Sequence, residues 1–417
     1  MINLKEASVS KKISVPRSTR VRVKKERVLN YQKALLLFSR IKPRYLDLGL
    51  LVPVIAIAVF GVAMVYSASW YNASIYFNDK FHFFRRQLIG LLMGIVMLSL
   101  TYHIDYRVYK KRYVLILTGA VFLMLLVFVP GIGMERFGAR RWIGIGGFSI
   151  QPSEIAKFAF IIFAATIASG KVMSKPSEGD KTKPGMHHLS IKQFLIILAA
   201  GGGLCALILM QPNLSITLTL GATMILMLFL CGARIKHLLV LMLPVLVVFP
   251  ILLVAEPYRV ERLVAFIDPW SNPRDEGFQL IQSLFSLGNG GLFGQGYLNS
   301  TQKYMFLPFS ESDFIFSIIG EEFGLVGTII FLATIGWIVT KIFKIGKQCN
   351  DYFGKFLCFG IGGLIFIQSM VNIAVVTGSI PPTGLPLPFV SFGGTSLAVF
   401  MGAIGIILNI DKNNKKS

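Results

Sequence analysis

A chain of 417 residues, 54% hydrophobic and with a mean hydropathy of +0.66, does not belong to the soluble globular class. Its net charge of +22 invites a nucleic-acid reading, but most Lys and Arg lie in the tails and in one alternate set of connections, the pattern that orients a membrane protein. Cys205, Cys231, Cys349 and Cys358 show no CxxC spacing and the five His no HExxH-like cluster, so neither a disulfide framework nor a zinc site is expected.

Residues 1–46 are polar and basic, from Lys11 and Lys12 through Arg27. With no apolar run near the start, they read as a cytoplasmic tail beside anionic headgroups rather than a cleaved signal. Apolar runs then recur near 48–69, 87–102, 113–129, 154–170, 193–210, 215–231, 238–255, 314–340, 356–377 and 396–410. They predict an all-α integral membrane bundle of about ten transmembrane helices over 47–410. The basic tails, the second at 411–417, place both termini in the cytoplasm. The connections at 130–153, 256–313 and 378–395 then lie outside, the largest between the seventh and eighth spans.

These outer connections hold the unusual chemistry. Arg136, Arg140 and Arg141 precede Trp142; Arg85 and Arg86 precede the second span; Arg259, Arg262, Arg274 and Lys303 lie in the long connection. Outer cations run against the topology rule. Singly they would touch lipid phosphates or local acids; as a set facing Asp313 they suit an anionic ligand such as pyrophosphate. Trp142 is either an interface residue or a platform for sugar or lipid. In the fourth span Glu154 and Lys157 share a helix face, and Glu154, Glu321 or Glu322 could pair with the buried Lys157. A structural ion pair is the expected role of these four residues.

GFQLIQSLFSLGNGGLFGQG has helical spacing and then a glycine-rich turn, Gly288 to Gly296, which could cradle phosphate on backbone N–H groups. GSIPPTGLPLPFVSFGGTS is too rich in Pro and Gly for a helix and too apolar for a free loop, so it is expected to re-enter the bundle and line a groove. Gln279, Gln282, Ser283 and Ser391 in these segments are candidate substrate contacts. In KYMFLPFSESDFIFSIIGEEFGLVG, Glu311 and Asp313 precede the eighth span, and Glu321 and Glu322 lie inside it. At about 1.5 Å per residue these two are roughly 12–14 Å deeper than Asp313. Asp313 has two compatible readings, helix N-cap and reactive carboxylate. Glu311 either raises the pKa of its neighbour or serves with it as a metal ligand.

GARRWIGIGGFSIQPSEIAK, QPNLSI, RLVAFIDPW, GFQLIQSLFSLGNGGLFGQG, SDFIFSIIGEEFGLVG and PPTGLPLPFVSFGGTSL, in this order, resemble the SEDS family (shape, elongation, division and sporulation) over about residues 45–410. DPW, IGEE and PPTGLPLPF look more like its division branch than its elongation branch. The resemblance implies a peptidoglycan glycosyltransferase that polymerises lipid II at the septum, on the outer face of the cytoplasmic membrane. Asp313 would be the essential carboxylate, acting as general base. Arg140, Arg141, Arg259, Arg262 and Lys303 would be candidates to hold the lipid pyrophosphate. It also implies partners: a class B penicillin-binding transpeptidase and other division proteins. No cofactor is required; a divalent cation such as Mg2+ could bridge Asp313, with Glu311 beside it, to pyrophosphate. The other function classes are a lipid II flippase, which would depend on mid-membrane charges, and a non-catalytic division scaffold. The chain departs from the family's LPEAHTDFIF at Phe309, Glu311 and Ser312, from its usual Asn at Phe137, from QPDLG at Asn213 and from SYGGSS at Phe392.

Overall fold

The computed structural model describes residues 46–136, 138–145, 148–170, 189–254, 257–271, 273 and 277–415. Expectations for the basic tail, Phe137 and Arg274 lie outside them, as does the Arg259 side chain. The helices are α1 (Leu48–Phe77), α2 (His82–His103), α3 (Arg107–Lys111), α4 (Tyr113–Leu126), α5 (Pro152–Ser169), α6 (Ile191–Leu209), α7 (Leu214–Leu230), α8 (Ile235–Val254), α9 (Pro257–Ile267), α10 (Phe278–Gly290), α11 (Ile315–Gln348), α12 (Tyr352–Val376) and α13 (Gly394–Asn414). Among the described residues, seven helices (α1, α2, α5, α6, α11, α12 and α13) are long and apolar enough to cross a membrane, and α4 and α7 are shorter apolar helices. Each of the ten expected runs falls on one of these nine or on the apolar α8.

The connection at 130–153 is not irregular. It forms a three-stranded antiparallel sheet of β1 (Gly133–Arg136), β2 (Ala139–Ile145) and β3 (Phe148–Ile150), turning between β1 and β2 at Gly138, whose φ of +70° suits glycine. The long connection likewise contains helices α9 and α10.

Small residues bring α2 and α13 into close contact: a Cβ on Gly90 would lie 2.7 Å from the Gly394 Cα, and Thr101 Oγ1 donates to the Gly402 carbonyl at 2.7 Å. α11 is broken at Gly324 (φ +66°, ψ −166°), and the glycine-rich turn docks into the break. Leu325 N–H donates to the Gly291 carbonyl at 2.9 Å, and Gln295 and Gly296 N–H donate to the Glu321 and Glu322 carbonyls at 2.9 and 3.0 Å. A Cβ on Gly294 would lie 2.2 Å from the Glu322 carbonyl oxygen, so the glycines permit backbone-to-backbone packing. Within the turn the N–H groups of Gly291, Gly294, Gln295 and Gly296 are occupied by protein carbonyls, which counts against reading it as a phosphate cradle.

The same break accommodates the two deep acids. Glu321 accepts from Ser286 Oγ (3.0 Å), Ser300 Oγ (2.5 Å), Thr301 N (2.9 Å) and Thr301 Oγ1 (2.8 Å). Glu322 pairs with Lys303 at 3.0 Å, both side chains fully buried, and accepts from Ser67 Oγ of α1 at 2.5 Å. Segment 300–303 is thereby pinned into the bundle just ahead of Asp313. Buried charge survives here because partners replace the lost water.

Candidate functional site

Asp313 stands one residue before the N-cap of α11. That cap is Phe314 and has no side-chain hydrogen bond, so Asp313 does not fill the capping role open to it in sequence. Its backbone is held instead. Asn372 of α12 donates one Nδ2 hydrogen bond to the Asp313 carbonyl at 2.8 Å and another to the Leu385 carbonyl at 2.7 Å. Ser391 Oγ donates to the Ser312 carbonyl at 2.6 Å, and Phe392 N–H donates to the Glu311 carbonyl at 2.9 Å. The chain 311–313 thus lies along segment 378–393, anchored at three successive carbonyls.

That segment is buried at Leu385, Leu387, Phe389 and Val390, as its composition led us to expect. Its polar groups are met from the surrounding helices: Gln368 donates to the Pro386 carbonyl at 2.8 Å, and Gln87 exchanges hydrogen bonds with the Ser391 carbonyl and Gly393 N–H, each at 3.1 Å. Gly384 lies under the carboxylate, where a Cβ would be 3.1 Å from Asp313 Oδ2. Asp313 is only half-buried by area yet densely surrounded by protein, as at the floor of a recess.

This surrounding raises its pKa to about 7. Burial is the main cause and the Glu311 charge adds to it; Arg262, Arg141 and a hydrogen bond from Ser312 act the other way. Burial also pushes Glu311 up, against hydrogen bonds from its own backbone and from Ser310. The recess therefore gathers two acids and two arginines from two separate connections, 130–153 and 256–313. At neutral pH Asp313 can both accept and hold a proton.

The other sequence candidates distribute as follows. Strand alternation puts Arg140 and Arg141 on opposite faces of β2. Arg140 bonds the exposed Glu135 at 3.2 Å. Arg141 donates to the Gln211 carbonyl at 3.2 Å and to the Pro212 carbonyl, and acts on Asp313. Trp142 is half-buried opposite Met134, and Gln279 and Gln282 are half-buried on α10. Ser283 is buried, bonded to Ser317 Oγ and the Val376 carbonyl, both at 2.7 Å. Ser283 and Ser391 are therefore internal struts rather than open contacts. Lys303, expected among the pyrophosphate cations, is instead committed to Glu322 in the interior. Lys157 takes Glu154 at 2.8 Å and Gln368 at 2.7 Å, while Glu154 also accepts from Ser396 Oγ at 3.0 Å. Of the three acids open to Lys157 in sequence, Glu154 is its partner.

Two departures from the family pattern acquire local reasons. Asn213 caps α7 by accepting from Ile216 N–H at 3.2 Å, a task Asp and Asn share. Phe392 packs edge-on against Phe83, ring centroids 5.1 Å apart. Phe309 adopts φ +56°, unusual for a large side chain, in the turn whose carbonyl accepts from Ser312 N–H at 3.0 Å. Among the described residues no group of three or more His, Cys, Asp or Glu is placed to hold a metal ion.

Asn372, Gln87 and Gly384 were not singled out by sequence reasoning. Gln368 and Asn372 carried a usable signal, as two amides four apart in an otherwise apolar run. Gly384 carried none beyond its place in a Pro-rich stretch.

Comparison with known proteins places this geometry. The model of the cell cycle protein family of FtsW, RodA and SpoVE matches residues 48–416. The chain is 41% identical over 369 residues to the probable peptidoglycan glycosyltransferase FtsW of Geobacter metallireducens, covering 88% of this chain and 95% of that one. It is 38% identical over 369 residues to the stage V sporulation protein E of Bacillus subtilis, covering 88% and 98%. Among solved structures, it superposes with a TM-score of 0.71 and 25% identity on a chain of a peptidoglycan synthase complex that coordinates polymerization and crosslinking, covering 89% of this chain and 99% of that one. It also shares the fold of the rod shape determining protein RodA of Thermus thermophilus, with a TM-score of 0.63 and 23% identity, covering 89% and 98%.

Proposed function

The chain belongs to the FtsW, RodA and SpoVE family of cell cycle proteins, and on that footing we propose that it is a peptidoglycan glycosyltransferase joining lipid II units into glycan strands. The observation carrying the assignment of chemistry is Asp313: a recessed carboxylate with a pKa near 7, opposed by Arg141 and Arg262. A sugar hydroxyl attacks the anomeric carbon that bears lipid pyrophosphate. Asp313 takes the hydroxyl proton as the new bond forms. Arg141 and Arg262 stabilise the charge developing on the departing pyrophosphate. A single displacement inverts the anomeric centre and needs no covalent enzyme intermediate. The anchored carbonyls of residues 311–313 hold the base in place, so little reorganisation is needed at the moment of reaction.

Asp313 and Glu311 together supply two carboxylates, enough to hold a divalent cation only if pyrophosphate oxygens and water complete its shell. The step as written does not depend on one. The charges that a flippase would need in mid-membrane, Lys157, Glu321 and Glu322, are all engaged in local hydrogen bonds, which favours polymerisation over transport.

The protein is a multi-pass membrane protein. We place its termini in the cytoplasm, its long connections outside the inner membrane, and its work at the division septum. A class B penicillin-binding transpeptidase is its natural partner, since the strands made by one would be crosslinked by the other. The test is Asp313→Asn in the purified protein, followed by gel analysis of lipid II products. The variant should insert and fold normally and make no glycan. Wild-type levels of polymer from it would refute the base assignment.

A further inference from the structure

Helix α9 leaves an apolar stripe uncovered by the rest of the chain. At about 100° per residue, Val260, Val264 and Ile267 fall within about 60° of one another, while Arg262 and Ala265 lie on the opposite side. In an ordinary surface helix the apolar stripe would be covered by the protein. Here Ala265 is only 4% exposed, whereas Val264 and Ile267 are 49% and 74% exposed. Arg262 is itself exposed, and its charge acts on Asp313. The apolar side is turned away from the chain, and Trp270, also exposed, continues it.

Two observations say what covers this stripe. α9 begins three residues after α8 ends and is in contact with it, and α8 coincides with the seventh apolar run of the sequence. The helix therefore starts at the edge of the bilayer. Three aliphatic side chains and one indole are also far too little for a stable protein interface, which takes about 800 Å² from each partner. They suit the shallow burial of an interfacial helix, and Trp is enriched at that depth.

We infer that α9 is a membrane-interface helix whose Val260–Val264–Ile267 stripe lies in the bilayer surface and holds Arg262 at headgroup depth, facing Asp313. Lipid-linked pyrophosphate travels at that depth, so the helix presents a cation where the substrate's phosphates arrive. The seating of α9 in lipid is independent of the reaction; its effect on substrate capture rests on the function proposed above.

The test uses the full chain in nanodiscs of phosphatidylethanolamine and phosphatidylglycerol, with Cys205→Ser removing the one native cysteine that is not buried. Ile267→Cys and, as a control on the polar flank, Glu261→Cys are each labelled with an environment-sensitive NBD dye. The expected result is a blue-shifted emission at 267 that is quenched by headgroup-proximal doxyl lipids, and a water-like signal at 261. A water-like signal at 267, or one that shifts only when a transpeptidase partner is added, overturns the inference. In a second arm, Val264→Asn with Ile267→Asn should raise the KM for lipid II about tenfold while kcat changes less. An unchanged KM overturns the link to substrate capture. A wild-type protein that gives the lipid signal at 267 but makes no polymer would instead refute the glycosyltransferase reading.

Discussion

Replacing Glu311 with Gln should make the enzyme work at lower pH. Asp313 must be ionised to accept a proton, and its pKa lies near 7. Its ionised fraction is then about 9% at pH 6, about 50% at pH 7 and about 91% at pH 8, so the wild-type rate should rise roughly tenfold from pH 6 to 8. The Glu311 charge is the second largest cause of the raised pKa, after burial. Removing it lowers the pKa of Asp313 and moves the acid limb down, so Glu311→Gln outperforms the wild type at pH 6 and converges with it at pH 8. Arg262→Gln acts with the opposite sign: it removes an attractive charge, raises the pKa and moves the limb up. The assay is the initial rate of lipid II polymerisation by purified protein in detergent or nanodiscs, from pH 5.5 to 8.5, at saturating substrate. A flat wild-type profile over that range, or a limb that moves up in Glu311→Gln, would refute both the base assignment and the electrostatic account of the recess.

Four further outcomes follow from the contacts. Lys303→Met strands Glu322 as an unpaired buried charge and should cost about 3–5 kcal/mol in detergent thermal unfolding; the double variant Lys303→Met, Glu322→Met should recover most of it, and a single variant as stable as the wild type would contradict the pairing. Asn372→Leu leaves the Asp313 and Leu385 carbonyls without their donors and should lower kcat and broaden the acid limb of the pH profile, beyond a stability loss of about 1–3 kcal/mol. Gly384→Ala places a methyl 3.1 Å from Asp313 Oδ2, so activity should fall roughly tenfold or more with little change in melting temperature. Arg140→Ala removes an exposed pair worth under about 1 kcal/mol and should leave polymerisation near wild type, whereas Arg141→Ala should weaken it.

Much of the fold could be read from the chain because a bilayer forces it. Without water to satisfy backbone groups, each apolar run must close its own hydrogen bonds as a helix, so hydropathy alone locates the helices. The same logic marked Glu321, Glu322, Lys157 and Asp313 as residues needing an explanation. Sequence could not apportion the charges. Lys303 and Arg262 look alike in the long connection, yet one is sealed against Glu322 and the other acts on Asp313. Which cation meets which acid depends on the break at Gly324 and on the turn that docks into it. Both are backbone packing events between residues some thirty apart, and no local pattern encodes them.

The sequence by itself determined that this is a helical membrane protein of the SEDS type, because burial in lipid and motif order are properties of the chain taken linearly. Only the tertiary structure decided what surrounds the Asp313 carboxylate. Its pKa near 7 is the sum of burial, a neighbouring acid and two arginines delivered by different connections. Its position is fixed by Asn372 from α12, with Ser391 and Phe392 holding the two preceding residues from the re-entrant segment. Those terms depend on distance in space, and a carboxylate shows its working pKa only once the chain around it has folded.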